Sequence, residues 1–368
     1  MNFSYWELKE WFTNVDFTIV GSGIVGLNCA LELKKKHPKS KVLILEKGVL
    51  PQGASSKNAG FACFGSLSEI IDDLNSHTEE EVFNLVKKRW EGLQLLRQNL
   101  GDKNIDFQQN KGFELFNDEH FYNTCLSRKK EINSLLKPIF KEAVFKVDEN
   151  IFNFQNIHQK YSTNQFEGQI DTGKMVAELL LKVQQAGIKI LNNITVENFT
   201  ENNNTVLVKT NQLEFTTNKF FIATNGFAKQ LLQESVQPAR AQVIITKPIK
   251  NLHIKGTFHL DKGYYYFRNI DDRILFGGGR NLDFKGEETT EFGQTELIQN
   301  QLKNILKETI LPNTPFDIEH SWSGIMGVGK QKKAIVKPIS TNVFCGIRLG
   351  GMGVAIGSLV GKELAELI

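Results

Sequence analysis

Short runs of consecutive apolar residues separated by an amphipathic stretch dominate the first fifty positions of the chain. Residues 17–20 read FTIV and residues 42–45 read VLIL, and such unbroken apolar runs are typical of buried parallel strands. Between them, apolar residues recur at helical spacing from Leu27 to Leu33, until three lysines and Pro38 end the pattern. The order predicts a strand–helix–strand unit of a parallel sheet.

Further along the chain, the pattern predicts a long helix and several short elements. A capping-box pattern at residues 78–81 precedes an amphipathic stretch that ends near Gly101, which predicts one long helix. Residues 112–116 are typical of a strand, residues 168–183 of a turn and helix, and the Asn-rich residues 201–205 of a hairpin loop.

The run GYYYFR places its side chains alternately on the two faces of a predicted strand. Tyr264, Tyr266 and Arg268 share one face, and two phenols with a guanidinium suit a ligand pocket. The pattern fits an exposed edge or a buried hydrogen-bonded pair equally well, and the sequence leaves both open. Arg280, which closes FGGGR, and Arg348 are further candidates, because a planar guanidinium binds a carboxylate through two hydrogen bonds.

Composition and charge narrow the class of protein. The 368 residues are 40% hydrophobic and 23% charged, with a net charge of +3 and scattered basic residues, so no basic stripe suggests a nucleic-acid partner. The four cysteines form no CxxC pair and the seven histidines lie at no metal-ligand spacing, so we expect no metal. No apolar run approaches the roughly 20 residues of a membrane span. The start, MNFSYWELKEWF, lacks a signal-peptide pattern, and we expect a cytoplasmic protein.

A glycine turn joins the first predicted strand to the first helix. Gly21, Gly23 and Gly26 follow the strand in G-x-G-x-x-G spacing, and Glu46 ends the second strand about 20 residues later. The first glycine makes the tight turn, the second lets the backbone approach a pyrophosphate, and the third lets the helix pack on the strand. The helix N-terminus attracts phosphates, and the acid accepts hydrogen bonds from a ribose. The unit predicts a dinucleotide site without distinguishing FAD from NAD.

Residues 53–66 read GASSKNAGFACFGS and have neither a helical nor a strand period. Small residues let backbone N–H groups approach a large flat ligand, whereas Phe61 and Phe64 argue against a flexible linker. Together with GSGIVG and Glu46, the segment GASSKNAG resembles the N-terminal signature of the D-amino-acid oxidase superfamily of flavoproteins. The family loop often reads Gly-Ala-Ser-x-Arg-Asn-x-Gly, and Lys57 stands where arginine is common.

Two more segments extend the resemblance. FFIATNGFA resembles the family's strand and turn over the FAD adenosine, and GGMGV resembles its closing turn beside the flavin pyrimidine edge. The resemblance implies that FAD is held by Gly21, Ser22, Gly23, Ile24, Val25, Gly26, Glu46, Lys47, Ser55, Ser56, Lys57, Asn58, Ala59, Gly60, Val196, Ala223, Thr224, Gly226, Gly324, Gly350, Gly351, Met352, Gly353 and Val354.

The resemblance also implies the architecture. We expect an α/β protein in which residues 1–77, 165–235 and 318–368 form a Rossmann-like FAD-binding domain. Residues 78–164 and 236–317 are expected to form a second, α+β substrate domain built around a mixed or antiparallel sheet.

The activity that the resemblance implies is FAD-dependent oxidation of the C–N bond of a small-molecule amine or amino acid. Hydride passes from the α-carbon to flavin N5, and desolvation keeps the amine neutral without a dedicated base. Met326 stands near the position where glycine oxidase-like members usually carry an arginine. Sarcosine oxidase-like members attach FAD through a cysteine in the region of residues 326–330; none lies here, so FAD should be non-covalent. RILFGGG is apolar where many oxidases place a lysine, which favours a dehydrogenase, and the electron acceptor is O2 or a carrier.

Three alternatives stay open. The first is oxidation of a 2-hydroxy acid on the same fold, and the second is a flavin-containing module that modifies or binds RNA. The near-balanced charge disfavours RNA. The third, NAD as the only dinucleotide, leaves the C-terminal glycine turn without a role.

Overall fold

The structure is a computed structural model that describes residues 3–368. Residues 1 and 2, at the start of the expected segment 1–77, lie outside the described residues. The α-helices of the described chain are α1 Tyr5–Glu7, α2 Ile24–Lys36, α3 Leu67–Leu74, α4 Glu79–Leu100, α5 Glu119–Phe140, α6 Thr172–Gln185, α7 Glu296–Ile305 and α8 Gly353–Ala365. Its strands are β1 Val15–Val20, β2 Val42–Leu45, β3 Phe61–Ala62, β4 Gly112–Leu115, β5 Phe145–Glu149, β6 Lys160–Asn164, β7 Gly168–Gln169, β8 Lys189–Leu191, β9 Val196–Glu201, β10 Val206–Thr210, β11 Glu214–Ile222, β12 Gln237–Thr246, β13 Thr257–Leu260, β14 Tyr265–Ile270, β15 Arg273–Gly278, β16 Ile318–Val328, β17 Ile335–Pro338 and β18 Val343–Ile347.

The first sheet has the strand order β17-β18-β11-β1-β2-β8, with the hairpin β9–β10 paired to β11. Its five strands β18, β11, β1, β2 and β8 are parallel. The unbroken apolar runs of β1 and β2 fit this arrangement because both faces of the sheet are covered. Helices α2, α4, α6 and α8 pack on one face, and the N-terminal segment and the β9–β10 hairpin help to cover the other.

The second sheet has the order β16-β12-β15-β14-β13-β4-β6-β5. Neighbouring strands are antiparallel except β13 and β4, which are parallel, so the sheet is mixed. One face packs on α7 through an aromatic core in which the rings of Phe258 and Phe267 stack 4.5 Å apart. The fold-class prediction of an α/β protein with a second domain on a mixed or antiparallel sheet is confirmed.

The structure places two segments differently from the expected domain boundaries. Strand β16 was assigned to the FAD-binding segment 318–368, but it pairs with β12 from Gln237 to Thr246 and so belongs to the second sheet. Helix α4 was assigned to the substrate segment 78–164, but its apolar face packs on α8 in the core of the first sheet. A boundary drawn along the sequence misses both, because each element finds its partner far away in the chain.

Local capping patterns set the ends of several elements. The Thr78 hydroxyl accepts the N–H of Glu81, the Glu81 carboxylate accepts the N–H of Thr78, and Gly101 ends α4 with a φ of 84°. The Asn-rich stretch forms the turn between β9 and β10. No helix within residues 3–368 is both long and apolar enough to cross a membrane.

Candidate active site

A cavity of about 990 Å³ lies between the two sheets. Val20 and Leu45, at the carboxyl ends of β1 and β2, line one side, and His259 and Tyr266, on β13 and β14, line the other. The carboxyl ends of parallel strands are where open α/β sheets bind their ligands, because helix N-termini meet there.

The glycine turn after β1 forms part of the cavity wall and leaves no space for side chains. Gly21 has a φ of 100°, and a Cβ there would lie 2.8 Å from the carbonyl oxygen of Ala223. A Cβ on Gly26 would lie 1.9 Å from the carbonyl oxygen of Gly21. The absence of both methyl groups lets α2 begin directly against the strand, with Gly23, Ile24 and Val25 facing the cavity.

Glu46 holds this turn from the next strand. It is 6% exposed, and one carboxylate oxygen accepts the N–H and the hydroxyl of Ser22 at 3.0 and 2.6 Å. The other oxygen accepts the N–H of Gly48 at 2.9 Å and a long contact of 3.4 Å from the N–H of Gln52. The second oxygen has only one short hydrogen bond, so it can still accept one from a ligand, such as a ribose hydroxyl.

The segment 53–60 is an ordered wall rather than a linker. The Ser55 hydroxyl accepts the first N–H of α2, from Ile24, at 2.9 Å. Asn58 accepts the N–H of Gly60 at 2.8 Å and donates to the carbonyl of Ser55 at 2.7 Å. The carbonyl of Lys57 accepts the indole N–H of Trp322 at 3.0 Å, which ties the loop to β16.

The C-terminal turn supplies a second helix start. Gly350 and Gly351 have φ values of 60° and 82°, and α8 begins at Gly353. The turn is fixed by the N–H of Leu349, which donates to the Asn225 side chain at 3.1 Å. The N-termini of α2 and α8 therefore open on the same cavity, and both favour anionic groups.

Most of the expected FAD residues line this cavity. The exceptions are Ser22, Gly26, Ser56, Gly60 and Gly226. Ser22 and Ser56 use their hydroxyls within the protein, on Glu46 and on the carbonyl of Pro51. The positions of Cβ atoms on Gly26, Gly60 and Gly226 are taken by backbone carbonyls of Gly21, Ile170 and Met326. The contacts of the other expected residues with FAD stay predictions. These residues all line the cavity: Gly21, Gly23, Ile24, Val25, Glu46, Lys47, Ser55, Lys57, Asn58, Ala59, Val196, Ala223, Thr224, Gly324, Gly350, Gly351, Met352, Gly353 and Val354.

Three of the five substrate candidates also line the cavity: Tyr264, Tyr266 and Arg280. Burial raises the pKa of Tyr266 to about 12, so its hydroxyl stays protonated and can donate. Burial also lowers the pKa of Arg280, because it removes water from the charged guanidinium. Within residues 3–368, no carboxylate forms an ion pair with Arg280. The nearby Glu287 is 1% exposed and already accepts two hydrogen bonds of 2.8 Å from Arg240. Arg280 is thus a cation that faces the cavity without an anionic partner.

The structure does not bring Arg268 or Arg348 to the cavity. Arg268 is 2% exposed and donates to the carbonyls of Ala59 and Ile170, the latter at 3.0 Å. Arg348 has a φ of 62° and donates to the carbonyls of Ser235 and Lys333, both at 3.0 Å. Both guanidiniums hold backbone segments together, and neither faces the cavity as a substrate ligand would.

We expect Arg268→Met to lower stability by about 2–6 kcal/mol, because two buried carbonyls lose their donors at about 1–3 kcal/mol each. The midpoint of urea unfolding should fall, while the limiting rate of reduction of the FAD that remains bound should stay close to wild type. Arg268→Lys should not restore stability, since an ammonium does not reproduce the fork of the guanidinium. A variant with normal stability and a large loss of rate would instead place Arg268 on the substrate.

Residues 16–367 match the sequence model of the family described as DAO, FAD dependent oxidoreductase. The chain belongs to this family. A protein of Haemophilus influenzae named probable oxidoreductase OrdL is 21% identical over 96% of this chain and 83% of its own length.

Two solved structures of this fold are also similar to the chain. L-proline dehydrogenase from P. horikoshii is 20% identical, with a TM-score of 0.77 over 96% of this chain and 93% of that one. Glycine oxidase from Geobacillus kaustophilus is 18% identical, with a TM-score of 0.76 over 96% and 94% of the two chains. At these identities the structural similarity establishes the fold.

The cavity residues of this DAO-family protein fit FAD. The glycine turn admits a backbone approach that a Cβ would block, and two helix N-termini face the cavity. Thr224 lines the cavity, and its hydroxyl is a buried polar atom without a hydrogen-bond partner among the described residues. Such an atom is costly unless a ligand or water satisfies it.

The sequence analysis missed His259. It faces Tyr266 across the hairpin β13–β14 and lines the cavity, and its Nε2 lies 2.5 Å from a carboxylate oxygen of Glu167. Burial disfavours the charged imidazolium, but the Glu167 carboxylate outweighs that cost and raises the pKa of His259 to about 9. The segment TFHL carries no local signal of this environment, because the partner Glu167 lies 92 residues away in the chain.

We expect this pair to make stability depend on pH. The folded-state pKa of His259, about 9, lies above its ordinary value of about 6.5. The stabilisation is therefore complete below pH 6.5 and is lost as the pH rises through 9. Urea unfolding at pH 7 and pH 10 should show a larger loss for wild type than for Glu167→Gln, with the exposed His120→Gln matching wild type. Equal losses in wild type and Glu167→Gln would contradict the assignment.

Proposed function

We propose that the protein uses FAD to oxidise the C–N bond of an amine that carries a carboxylate, such as an amino acid. The observation that carries the proposal is Arg280, a guanidinium that faces the cavity without an anionic partner in the described chain. A half-buried arginine in that state gains most from a planar carboxylate, which accepts two of its hydrogen bonds. Its fork then fixes the substrate's orientation.

The tyrosines and an apolar wall complete the pocket. Tyr264 and Tyr266 line the same cavity as Arg280, and Phe61 packs edge-on against Tyr266 with 5.6 Å between ring centroids. Val243 and Ala59 continue the apolar surface. An apolar wall excludes water and disfavours an ammonium, so it favours the neutral amine that has a free electron pair.

When bound, FAD supplies the hydride acceptor. The protein residues orient the substrate by its carboxylate and place its α-carbon in the cavity. We propose that FAD is bound non-covalently: of the four cysteines only Cys63 lines the cavity, and burial raises its pKa well above the ordinary value, so its thiol is a poor nucleophile.

A 2-hydroxy acid is the second candidate substrate, because it offers Arg280 the same carboxylate. The part of the pocket that meets the α-substituent decides between the two substrate classes. Anaerobic reduction of the flavin by matched pairs, such as L-alanine and L-lactate, shows whether the protein oxidises the α-amino or the α-hydroxy compound.

The electron acceptor is part of the same proposal. Strand β15 carries no lysine, the residue that many oxidases place on it, and this favours a carrier over O2.

The test is a visible spectrum of the purified protein and of the supernatant after heat denaturation. We expect flavin in both, and anaerobic bleaching by one pool among amines, amino acids and 2-hydroxy acids. Oxygen uptake compared with reduction of an artificial acceptor then separates an oxidase from a dehydrogenase. A protein that remains colourless after incubation with FAD, or that is bleached only by hydroxy acids, would contradict the proposal.

A further inference from the structure

His259 lies in the middle of a row of residues that face each other across the second sheet. Its neighbours in the row are Glu114 on β4 and Tyr266 on β14. His259 is 5% exposed, and that small exposed fraction belongs to the cavity wall. The ring of Phe61 packs edge-on against the imidazole, with 5.3 Å between centroids. The packing fixes the ring beside Tyr266 and leaves it a narrow opening to the cavity.

Glu167 approaches His259 from above the sheet and occupies a space made by a glycine. A Cβ on Gly112 would lie 2.3 Å from a carboxylate oxygen of Glu167, so only glycine admits this side chain position. Glu167 is 1% exposed, and one oxygen accepts the Thr257 hydroxyl at 2.7 Å as well as Nε2 of His259 at 2.5 Å. A buried carboxylate held in this way is a fixed acceptor.

The carboxylate decides which ring nitrogen keeps its proton. Nε2 donates to Glu167, so the proton that His259 exchanges is the one on Nδ1. Nδ1 makes no hydrogen bond within residues 3–368, and it is not one of the buried polar atoms without a partner. The exchangeable nitrogen therefore meets the cavity.

The charged and titratable groups around His259 are mainly acidic. Besides Glu167, the carboxyls of Glu69 on α3 and Glu114 on β4 favour its protonated form. Burial raises the pKa of Glu114, Cys63 and Tyr266, so the last two are neutral near pH 7. Above pH 9, where His259 is neutral, these surrounding carboxylates attract an ammonium and repel a carboxylate. The reacting amine, rather than the substrate's carboxylate, suits this side of the cavity.

We infer that Nδ1 of His259 takes the proton that the substrate's ammonium must lose before the α-hydrogen leaves as hydride. The inference rests on the proposed function and replaces the expectation of a neutral amine without a dedicated base. The N–H bond of the ammonium breaks, its electron pair stays on the amine nitrogen, and the proton bonds to Nδ1. The resulting imidazolium keeps its Nε2–H on Glu167, which is a positioning residue.

The first test needs no substrate. In FAD-loaded protein with labelled histidines, NMR should show one resonance that titrates near pH 9 and is absent from His259→Gln. In Glu167→Gln, and in Gly112→Ala, which displaces the carboxylate without removing its charge from the sequence, the midpoint should move down towards the ordinary value of about 6.5. His120→Gln is the control, since His120 is exposed on α5. A His259 midpoint that Glu167→Gln leaves unchanged would overturn the inference.

The second test is anaerobic reduction of the FAD-loaded protein by a panel of glycine, sarcosine, L-proline, L-alanine and putrescine between pH 6 and pH 10. The limiting rate should rise with pH with a midpoint near 9 in wild type, and the midpoint should fall in Glu167→Gln. His259→Gln should lose about 10²-fold or more of the limiting rate, the usual contribution of a positioned base.

The outcomes distinguish a failure of the proposed function from a failure of the proposed role of His259. If His259 only bound an anion, its loss would raise KM and leave the limiting rate and its midpoint in place, which would overturn the inference. If dithionite reduces the flavin and no amine or amino acid does, the proposed function fails and this inference fails with it. If an amine reduces wild type and both variants with one pH profile, the proposed function stands and only the role of His259 is rejected.

Discussion

Arg280→Met should lower kcat/KM for an amino-acid substrate by about 10²–10³-fold while leaving FAD bound and stability nearly unchanged. Removing one partner of a buried, hydrogen-bonded charge pair costs about 2–5 kcal/mol, and each 1.4 kcal/mol is a factor of ten. Stability should change little because Arg280 makes no ion pair within the described residues. Loss of the contact between its guanidinium and the ring of Phe284, 4.8 Å away, costs about 0.5–1 kcal/mol. Removal of its charge relieves a desolvation cost in the free protein.

The measurement is anaerobic reduction of the flavin by an amino acid and by the corresponding amine without a carboxylate. The variant should lose rate with the first and keep it with the second, and Arg280→Lys should recover part of the loss as a point charge. Arg273→Met is the matched control, since Arg273 begins β15, the strand that leads to Arg280, and pairs with Glu319 at the surface. Equal losses with both substrates would show that Arg280 shapes the pocket without binding the carboxylate.

Arg268 and Arg280 illustrate how far alternation along a strand predicts function. The alternation holds, because Phe267 is buried in the aromatic core while Tyr266 and Arg268 point to the opposite face. The surroundings of that face change within two residues. At Tyr266 it borders the cavity, whereas at Arg268 it is covered by the backbone of Ala59 and Ile170. No local pattern reports that covering, since it comes from two distant segments.

The glycine turns and helix caps could be predicted because their signals are local. Gly21 and Gly26 fix a turn by sterics between residues five apart, and Thr78 and Glu81 cap a helix within one turn. His259 is the opposite case. Its environment combines Glu167, which is 92 residues away, with a space at Gly112, and none of these residues is unusual alone. Long-range pairs of ordinary residues leave no signature in a single sequence.

Arg348 shows a third limit. Its guanidinium made it a carboxylate candidate in the sequence, and its backbone is left-handed, with a φ of 62°. The side chain instead turns back to two carbonyls and anchors the loop at Lys333. A side chain at such a position must go where space exists, and here the space lies behind the turn, away from the cavity.

Gly26→Ala is expected to have the second large effect, the loss of FAD together with about 3 kcal/mol or more of stability. A Cβ at this position would lie 1.9 Å from the carbonyl oxygen of Gly21 and 3.3 Å from Ile19. The close atom belongs to backbone, so no rotation of a side chain relieves the overlap, and overpacking of a tight core costs about 1–3 kcal/mol even when side chains can move. Helix α2 must therefore shift away from β1.

A shift of α2 would also take its N-terminus out of the cavity wall, which connects the packing defect to the cofactor. The measurement is the FAD content of purified protein and the midpoint of urea unfolding with FAD in excess. Gly173→Ala is the control, because Gly173 is exposed within α6 and a Cβ there meets only the Asp171 side chain, at 3.3 Å. It should keep full FAD and gain slightly in stability, as a glycine replaced by alanine in a helix does. A Gly26→Ala protein with normal FAD content would mean that α2 can move without weakening FAD binding. Packing alone would then explain the glycine at this position.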